Sequence, residues 1–432
     1  MEEVKYLIIG NSAGGIGAAE AIRQADKKGS LCIISDEPYP AYSRVRISEH
    51  LACGCPLEEI LFRPADFYEV NGIRFISGKK AEQLDAIAHI VKLDDGTKIK
   101  WRKLLLATGG LPIVPPIKGI NKKGVFSFTS LDDATAISDY INSNDIKEAV
   151  VIGGGLIGVS ATEALVERGI KVTVIEMKER ILNTILDEEA SAMEVEAMKK
   201  AGVEIITSNT VAGVNSNPAK PEKISSVSLD DGQEIACHLV IVAIGVIPRT
   251  ELATGSVVEV KHGILVGDSM ATSQADVYAC GDVAETYDFV YNENRLNPIW
   301  SSAYLGGRVA GFNMAGVPTT YKGSTIMNTM KYFGMDIVSA GITVPSDDSY
   351  RVFSQQNGGI YRKVVIKDNY VVGMVFAGDI EKSGIILNLM KDRTDVSQFC
   401  ELLVTDEFGL SCLPEEIWQP HLALPAELTA EA

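Results

Sequence analysis

The sequence predicts an α/β chain with two repeated strand–helix–strand units built on parallel sheets, followed by a third, α+β domain. Three observations carry this prediction. A pattern of apolar strand, glycine turn, helix, strand and acid occurs twice, over residues 6–37 and 149–176. Each copy is answered later by a continuous apolar run ending in a glycine turn, which suits a parallel strand buried on both faces. From about residue 320 the texture changes to short strand-like pieces bounded by turns.

The first copy opens with Tyr6-Leu7-Ile8-Ile9 and turns through Gly10-Asn11-Ser12-Ala13-Gly14-Gly15. It continues as a helix from Ile16 to Gln24 and returns as Leu31-Cys32-Ile33-Ile34 before Ser35-Asp36-Glu37. The second copy reads Ala149-Val150-Val151-Ile152, then Gly153-Gly154-Gly155-Leu156-Ile157-Gly158, a helix through Arg168, and Lys171-Val172-Thr173-Val174-Ile175-Glu176. The answering strands are Leu104-Leu105-Leu106-Ala107-Thr108-Gly109 and Val240-Ile241-Val242-Ala243-Ile244-Gly245. Pro112, Pro115 and Pro116 follow the first and Pro248 the second, consistent with crossings between domains. In the third domain Tyr361–Ile366, a turn at Asp368-Asn369 and Val371–Val375 read as a hairpin. The stretch Leu413–Ala432 reads as a loosely held tail.

At 432 residues the chain has room for two to four domains. Its 46% apolar and 22% charged residues are those of an ordinary globular protein. Lys plus Arg less Asp plus Glu is 40 − 57 = −17, which argues against a nucleic-acid or anionic-membrane surface. The start Met1-Glu2-Glu3-Val4 lacks the basic region of a signal peptide, and no run of about 18 apolar residues exists to span a bilayer. Seven scattered cysteines suit a reducing compartment better than a disulfide framework, so a cytoplasmic location is expected.

The second glycine turn carries the stronger signal, with Gly153, Gly155 and Gly158 filling all three places of G-x-G-x-x-G between a strand and a helix. The first glycine makes the turn, the second lets backbone approach a pyrophosphate, and the third permits close helix packing. The helix start, Leu156-Ile157-Gly158, turns its free amides on the phosphate. Glu176, 23 residues after Gly153, stands where a carboxylate accepts from an adenosine ribose and repels a ribose phosphate, which predicts NADH over NADPH. Arg180 lies nearby and pulls the other way. In the first turn Gly10 and Gly15 hold the outer places and Ser12 replaces the middle glycine, with Ala13 and Gly14 opening the helix. Asp36 and Glu37 supply acids there. Two dinucleotides on one chain imply a relay between a bound flavin and a diffusible nicotinamide, because hydride transfer is chemistry that cofactors carry. In Val277-Tyr278-Ala279-Cys280-Gly281-Asp282, Asp282 at an expected strand-to-helix turn could accept from a polyhydroxyl chain or cap the helix, or do both.

At these residues the chain resembles the two-dinucleotide-binding-domain flavoproteins, the pyridine nucleotide-disulfide oxidoreductase-like family that includes rubredoxin and ferredoxin reductases, NADH oxidases and glutathione-reductase-like enzymes. The resemblance implies two Rossmann-like domains, one inserted in the other, and a C-terminal α+β interface domain. The implied boundaries are 1–113 with 246–318 for FAD, 114–245 for NAD, 319–412 for the interface domain and 413–432 for the tail. It places FAD on Gly10, Ser12, Gly15, Asp36, Glu37, Ala107, Thr108, Gly109, Gly281 and Asp282, and NAD(H) on the second turn through to Gly245. In Pro38-Tyr39-Pro40-Ala41-Tyr42-Ser43-Arg44, Arg44 matches a basic side chain beside FAD. Ala81 matches a position whose backbone meets the adenine, and Lys331 a lysine close to the flavin, the implied catalytic residue. Trp300 reads equally as core or as flavin neighbour. A homodimer through the third domain is expected on the same resemblance.

Departures narrow the function. The reactive cysteine of the disulfide reductases is replaced by Ala41-Tyr42-Ser43-Arg44, and Cys53 and Cys55, just beyond, read as incidental because Cys-x-Cys closes only a small strained ring. The C-terminal His–Glu pair of the glutathione reductases is absent, since His421 lies in the tail. Electrons arriving as hydride are therefore expected to leave for a ferredoxin-like or rubredoxin-like iron–sulfur carrier. Tyr332–Gly341 and later segments resemble a subgroup with the FAD subunit of phenylglyoxylate:NAD oxidoreductase and flavoproteins linked to CO dehydrogenase. Alternatives are an NAD module within a larger 2-oxoacid-oxidising or CO-oxidising complex, with iron–sulfur subunits as neighbours, or an NADH oxidase. Arg351, Arg362, Lys363 and Lys367 are the candidate docking patch for an acidic carrier, against ordinary solvated charges.

Overall fold

The computed structural model describes residues 2–217, 220–415 and 417; the tail beyond, with His421, lies outside the described residues. The chain divides into two compact units. One comprises the described residues up to 181 with 198–326, the other 182–197 with the described residues from 327 onward.

In the first unit β1 (Glu2–Ile9) leads through the glycine turn into α1 (Ala13–Ala25), and β2 (Leu31–Ile34), β3 (Ile73–Ile76) and β4 (Lys98–Leu106) follow. The sheet order is β3-β2-β1-β4, all parallel, and strand Val277–Ala279 adds to the far side of β4. Strands Ala81–Asp85 and Ile90–Leu93 continue the sheet antiparallel along the first half of β4. The run Leu7-Ile8 with Leu104-Leu105 is fully buried, as the unbroken apolar pattern requires of strands covered on both faces.

The second parallel sheet repeats the plan. Strand β5 (Glu148–Ile152) leads into α2 (Leu156–Glu167), and β6 (Lys171–Ile175), β7 (Glu204–Ile206) and β8 (Leu239–Val242) give the order β7-β6-β5-β8, with Val125–Ser127 at the edge. The repeat extends to single hydrogen bonds. Gly10 N donates to Ile34 O at 2.9 Å and Gly153 N to Ile175 O at 2.8 Å. The two proline-marked segments, Gly110–Pro112 and Val246–Pro248, pair antiparallel as a short ribbon.

Helix α3 (Trp300–Met314) packs on α1 through glycines. A Cβ on Gly307 would overlap Gly14 O, and one on Gly311 would overlap Ala18 O. Residues 14 and 18 thus meet 307 and 311, so the helices run in the same direction with backbones in contact.

In the second unit β9 (Met327–Tyr332), β10 (Met335–Gly341), β11 (Arg351–Asn357), β12 (Ile360–Lys367) and β13 (Tyr370–Ala377) form an antiparallel sheet of order β9-β10-β13-β12-β11, followed by α4 (Ser383–Lys391). The expected hairpin turn is there, with Asp368 and Asn369 both at positive φ, 48° and 66°, as a two-residue primed turn needs. Residues 182–197, which the sequence placed inside 114–245, belong with this unit: buried Asp187 accepts from Tyr361 Oη at 2.6 Å and Lys363 Nζ at 2.8 Å.

Candidate functional site

The two glycine turns are built alike, and their backbones state why. Gly10 has φ +119° and Gly153 φ +106°, a region that side chains rarely enter. A Cβ on Gly10 would overlap Ala107 O, and one on Gly153 would overlap Ala243 O, so each turn lies against the end of the answering strand. At the third place a Cβ on Gly15 would overlap Gly10 O and one on Gly158 would overlap Gly153 O.

The middle place behaves differently. Ser12 (φ −109°, ψ −160°) and Gly155 (φ −80°, ψ −176°) are both extended, and a Cβ on Gly155 meets nothing within 4 Å. Serine therefore fits without strain, which removes the objection to the first motif. The amides of Ala13-Gly14-Gly15 and Leu156-Ile157-Gly158 open α1 and α2, and a helix's first amides lack intrahelical acceptors. Each turn is thus a cradle shaped for a dinucleotide pyrophosphate.

The acids are not equivalent. Glu176 is buried, and its two oxygens accept from Gly154 N and Lys178 N, each at 2.7 Å. In the first copy that place belongs to Ser35, whose Oγ accepts from Glu37 N at 3.2 Å. The amides agree, Ser35 N donating to Ile76 O and Glu176 N to Ile206 O. Asp36 and Glu37 lie one and two residues further on. Asp36 is paired with Arg249 at 2.6 Å and Glu37 with Arg44 at 2.8 Å. The segment before Ala81 is tied to this corner, with Gly78 N donating to Glu37 O and Lys79 N to Ser35 O, and Ala81 begins its strand buried.

Arg44 also donates from Nη1 to Thr129 O at 3.0 Å, and its guanidinium lies 5.3 Å from the Tyr42 ring centre. Burial pushes the Asp282 carboxyl above its ordinary range, against the pull of Arg44. Gly281 has φ +75°, and a Cβ there would lie 3.2 Å from Ala303 Cβ on α3. The expected strand-to-helix turn is corrected here. Gly281–Val283 is one 3-10 turn that runs into strand Ala284–Asp288, so Asp282 caps no long helix. The helix beside it is α3, far ahead in sequence. Since Gly307 abuts Gly14, α3 begins seven residues, about 10 Å, beyond the first cradle. Its N-terminus and the Gly281–Asp282 turn mark the far end of an elongated slot.

Ala107, Thr108 and Gly109 close the near wall, Gly109 at φ +71° and Thr108 Oγ1 donating to Arg249 O at 2.7 Å. Gly245 holds the matching place in the second slot at φ +123°. Arg180 is paired with Glu179 at 2.9 Å. Trp300 packs edge-on to Phe62 at 5.1 Å in a cluster with Tyr304. Lys331 lies in the second unit, exposed and paired with Asp336 across the β9–β10 hairpin at 3.1 Å. Cys53 is exposed and Cys55 buried, the Cys55 thiol pushed up to about 11 chiefly by burial, with the Cys53 thiol beside it.

Two of the four docking-patch residues, Arg362 and Lys363, are corrected, while Arg351 is exposed and Lys367 half-buried. Arg362 is buried and held by Asp379 at 2.5 Å and Asp406 at 2.6 Å, while Lys363 is buried against Asp187. Sequence shows charge but not the carboxylates that fold onto it. Sequence reasoning also missed Arg249, visible only as a lone arginine after Pro248, and Ser35, masked by the two acids that follow it.

Comparison with known proteins agrees with this geometry. The pyridine nucleotide-disulphide oxidoreductase family matches residues 4–297, and the rubredoxin NAD+ reductase C-terminal domain matches 327–394. The epsilon subunit of NADH-dependent phenylglyoxylate dehydrogenase from Aromatoleum evansii is 32% identical over 92% of this chain and 94% of its own length. NADH-rubredoxin oxidoreductase of Clostridium acetobutylicum is 30% identical, over 88% of this chain and 92% of its own. The crystal structure of the Clostridium acetobutylicum NADH:rubredoxin oxidoreductase superposes with a TM-score of 0.74 at 29% identity, over 93% and 98% of the two chains. With both slots, their order along the chain and both family matches in agreement, this chain belongs to the pyridine nucleotide-disulphide oxidoreductase family and is an NAD(H)-dependent flavoprotein oxidoreductase that uses FAD.

Proposed function

We propose that the chain exchanges electrons between NAD(H) and a one-electron iron–sulfur carrier of the ferredoxin or rubredoxin kind, in the cytoplasm. The observation that carries this is the pair of matched cradles in one unit, with Ala41-Tyr42-Ser43-Arg44 standing where the disulfide reductases carry their reactive cysteine. Bound FAD supplies the conversion from hydride to single electrons. The chain's own part is to hold and orient. The α1 amides and the Gly10 turn bind one diphosphate and the α2 amides the other. Asp282 meets a polyhydroxyl chain, and the free amides opening α3 favour negative charge at the flavin end of the slot.

In the second slot Glu176 accepts ribose hydroxyls and disfavours a ribose phosphate, so NADH is the expected donor. A higher catalytic efficiency with NADPH would overturn that assignment. On resemblance alone we carry Lys331 as a tuning residue: Lys331→Met should lower the flavin midpoint potential, and an unchanged potential removes the role. That one relative is a dehydrogenase subunit supports a second arrangement, in which this chain is the NAD module of a larger complex. A homodimer through the second unit is part of the proposal for the free enzyme.

The test is an anaerobic visible spectrum of the purified chain. NADH should bleach the flavin, and oxidised ferredoxin or rubredoxin added to the same cuvette should restore it. A flavin that stays reduced until dioxygen enters would replace the carrier by an oxidase function.

A further inference from the structure

We propose that Arg249 is a strap across the first dinucleotide slot that holds the FAD diphosphate and sets how long the flavin stays bound. The inference rests on the assignment of FAD to that slot and adds a residue that lies outside the glycine motifs.

The geometry is that of a bridge. The Arg249 backbone is seated on the loop leaving β4, its N–H donating to Gly109 O at 2.9 Å and its carbonyl accepting from Thr108 Oγ1 at 2.7 Å. Its side chain reaches the loop leaving β2, where Nη1 donates to Asp36 Oδ2 at 2.6 Å. Strands β2 and β4 are the two neighbours of β1. At about 4.8 Å per strand spacing, the anchors lie about 10 Å apart, with the carboxyl end of β1 and its Gly10 turn between them. A pyrophosphate on the Gly10 cradle therefore lies beneath the span.

The chemistry suits the place. A guanidinium presents five N–H donors in a planar fork, and here the Asp36 bond is its sole side-chain hydrogen bond among the described residues. The side chain is 29% exposed, so donors remain on its open side for a diphosphate oxygen. Asp36 then acts as a positioning residue, fixing the fork over the slot. Arg249 directly follows Val246–Pro248, the strand that returns from the second sheet, so the strap is mounted on the connection between the two sheets.

The experiment compares FAD release from the full-length holoprotein and its Arg249→Ala, Arg249→Lys and Asp36→Asn variants, using the brightening of FAD fluorescence on release and the ³¹P spectrum of the bound diphosphate. Arg249→Ala should release FAD about tenfold faster or more, the loss expected for one charge-assisted hydrogen bond. Arg249→Lys should move the diphosphate resonances and fall between, and Asp36→Asn should speed release while the Arg249 charge is kept. Release from Arg249→Ala at the wild-type rate overturns the strap. If Arg249→Ala does not fold, Arg249→Lys decides, and unchanged release with unchanged ³¹P shifts overturns it. A Gly10→Ala protein that keeps its FAD with unchanged ³¹P shifts would instead fail the slot assignment itself.

Discussion

At the level of single residues, the three glycine places of the first motif are under unequal demands. Gly10 needs a positive φ, Gly15 needs the absence of a Cβ, and Ser12 needs neither. Ser12→Gly should therefore leave FAD affinity within about twofold of wild type. Gly15→Ala drives a methyl into Gly10 O and should cost about 1–3 kcal/mol, read as lost thermal stability together with lost flavin. A Ser12→Gly protein that sheds its flavin would show that the hydroxyl, which makes no cap bond, is itself a ligand. The motif's consensus treats all three places as glycine, whereas the backbone asks for glycine in two.

Among the elements, the α1–α3 pair sets where α3 stands relative to the first glycine turn. The two helices are about 290 residues apart in sequence, yet Gly14 with Gly307 and Ala18 with Gly311 bring their backbones together. This parallel contact lets α3 project beyond α1 and stand beside Gly281–Asp282. Gly307→Ala must part the helices at their tightest crossing and should destabilise the first unit by about 1–3 kcal/mol. Loss of FAD should accompany it, since the end of the slot moves with α3. Urea unfolding of the apoprotein separates the two effects, and an unchanged midpoint with unchanged flavin content would refute the account.

On the scale of the whole molecule, charge is spent inward as well as outward. Lys363 and Arg362 sit on β12 in the second unit, and their carboxylate partners come from three separate places, Asp187, Asp379 and Asp406. Asp187 and Lys363 are both nearly inaccessible, and removing Lys363 leaves the Asp187 carboxylate buried without its counter-ion, held by neutral donors from Tyr361 and Ala190. Lys363→Met should therefore destabilise the second unit by about 3–5 kcal/mol, visible as a lowered thermal midpoint. The double variant Lys363→Met with Asp187→Asn, whose amide oxygen can still accept from Tyr361 or Ala190, should recover much of that loss. Additive losses in the double variant would contradict the pairing. With these two cations engaged, an acidic carrier has to find its complement elsewhere on a chain of net charge −17.

The repeated units, the two glycine turns and the hairpin at Asp368-Asn369 were legible in the sequence, because strand, turn and helix signals are local and each is written in about ten neighbouring residues. The two glycine turns pointed to a flavin paired with a nicotinamide, and the resemblance they carry implied the family and FAD. What only the tertiary structure decided is long-range. It set Ser35 rather than an acid opposite Glu176, put α3 rather than an immediately following helix beside Asp282, moved residues 182–197 into the second unit, and folded carboxylates onto Arg362 and Lys363. Each of these depends on which distant residue arrives at a given point. Burial and partner are properties of the packed chain, and no local pattern encodes them.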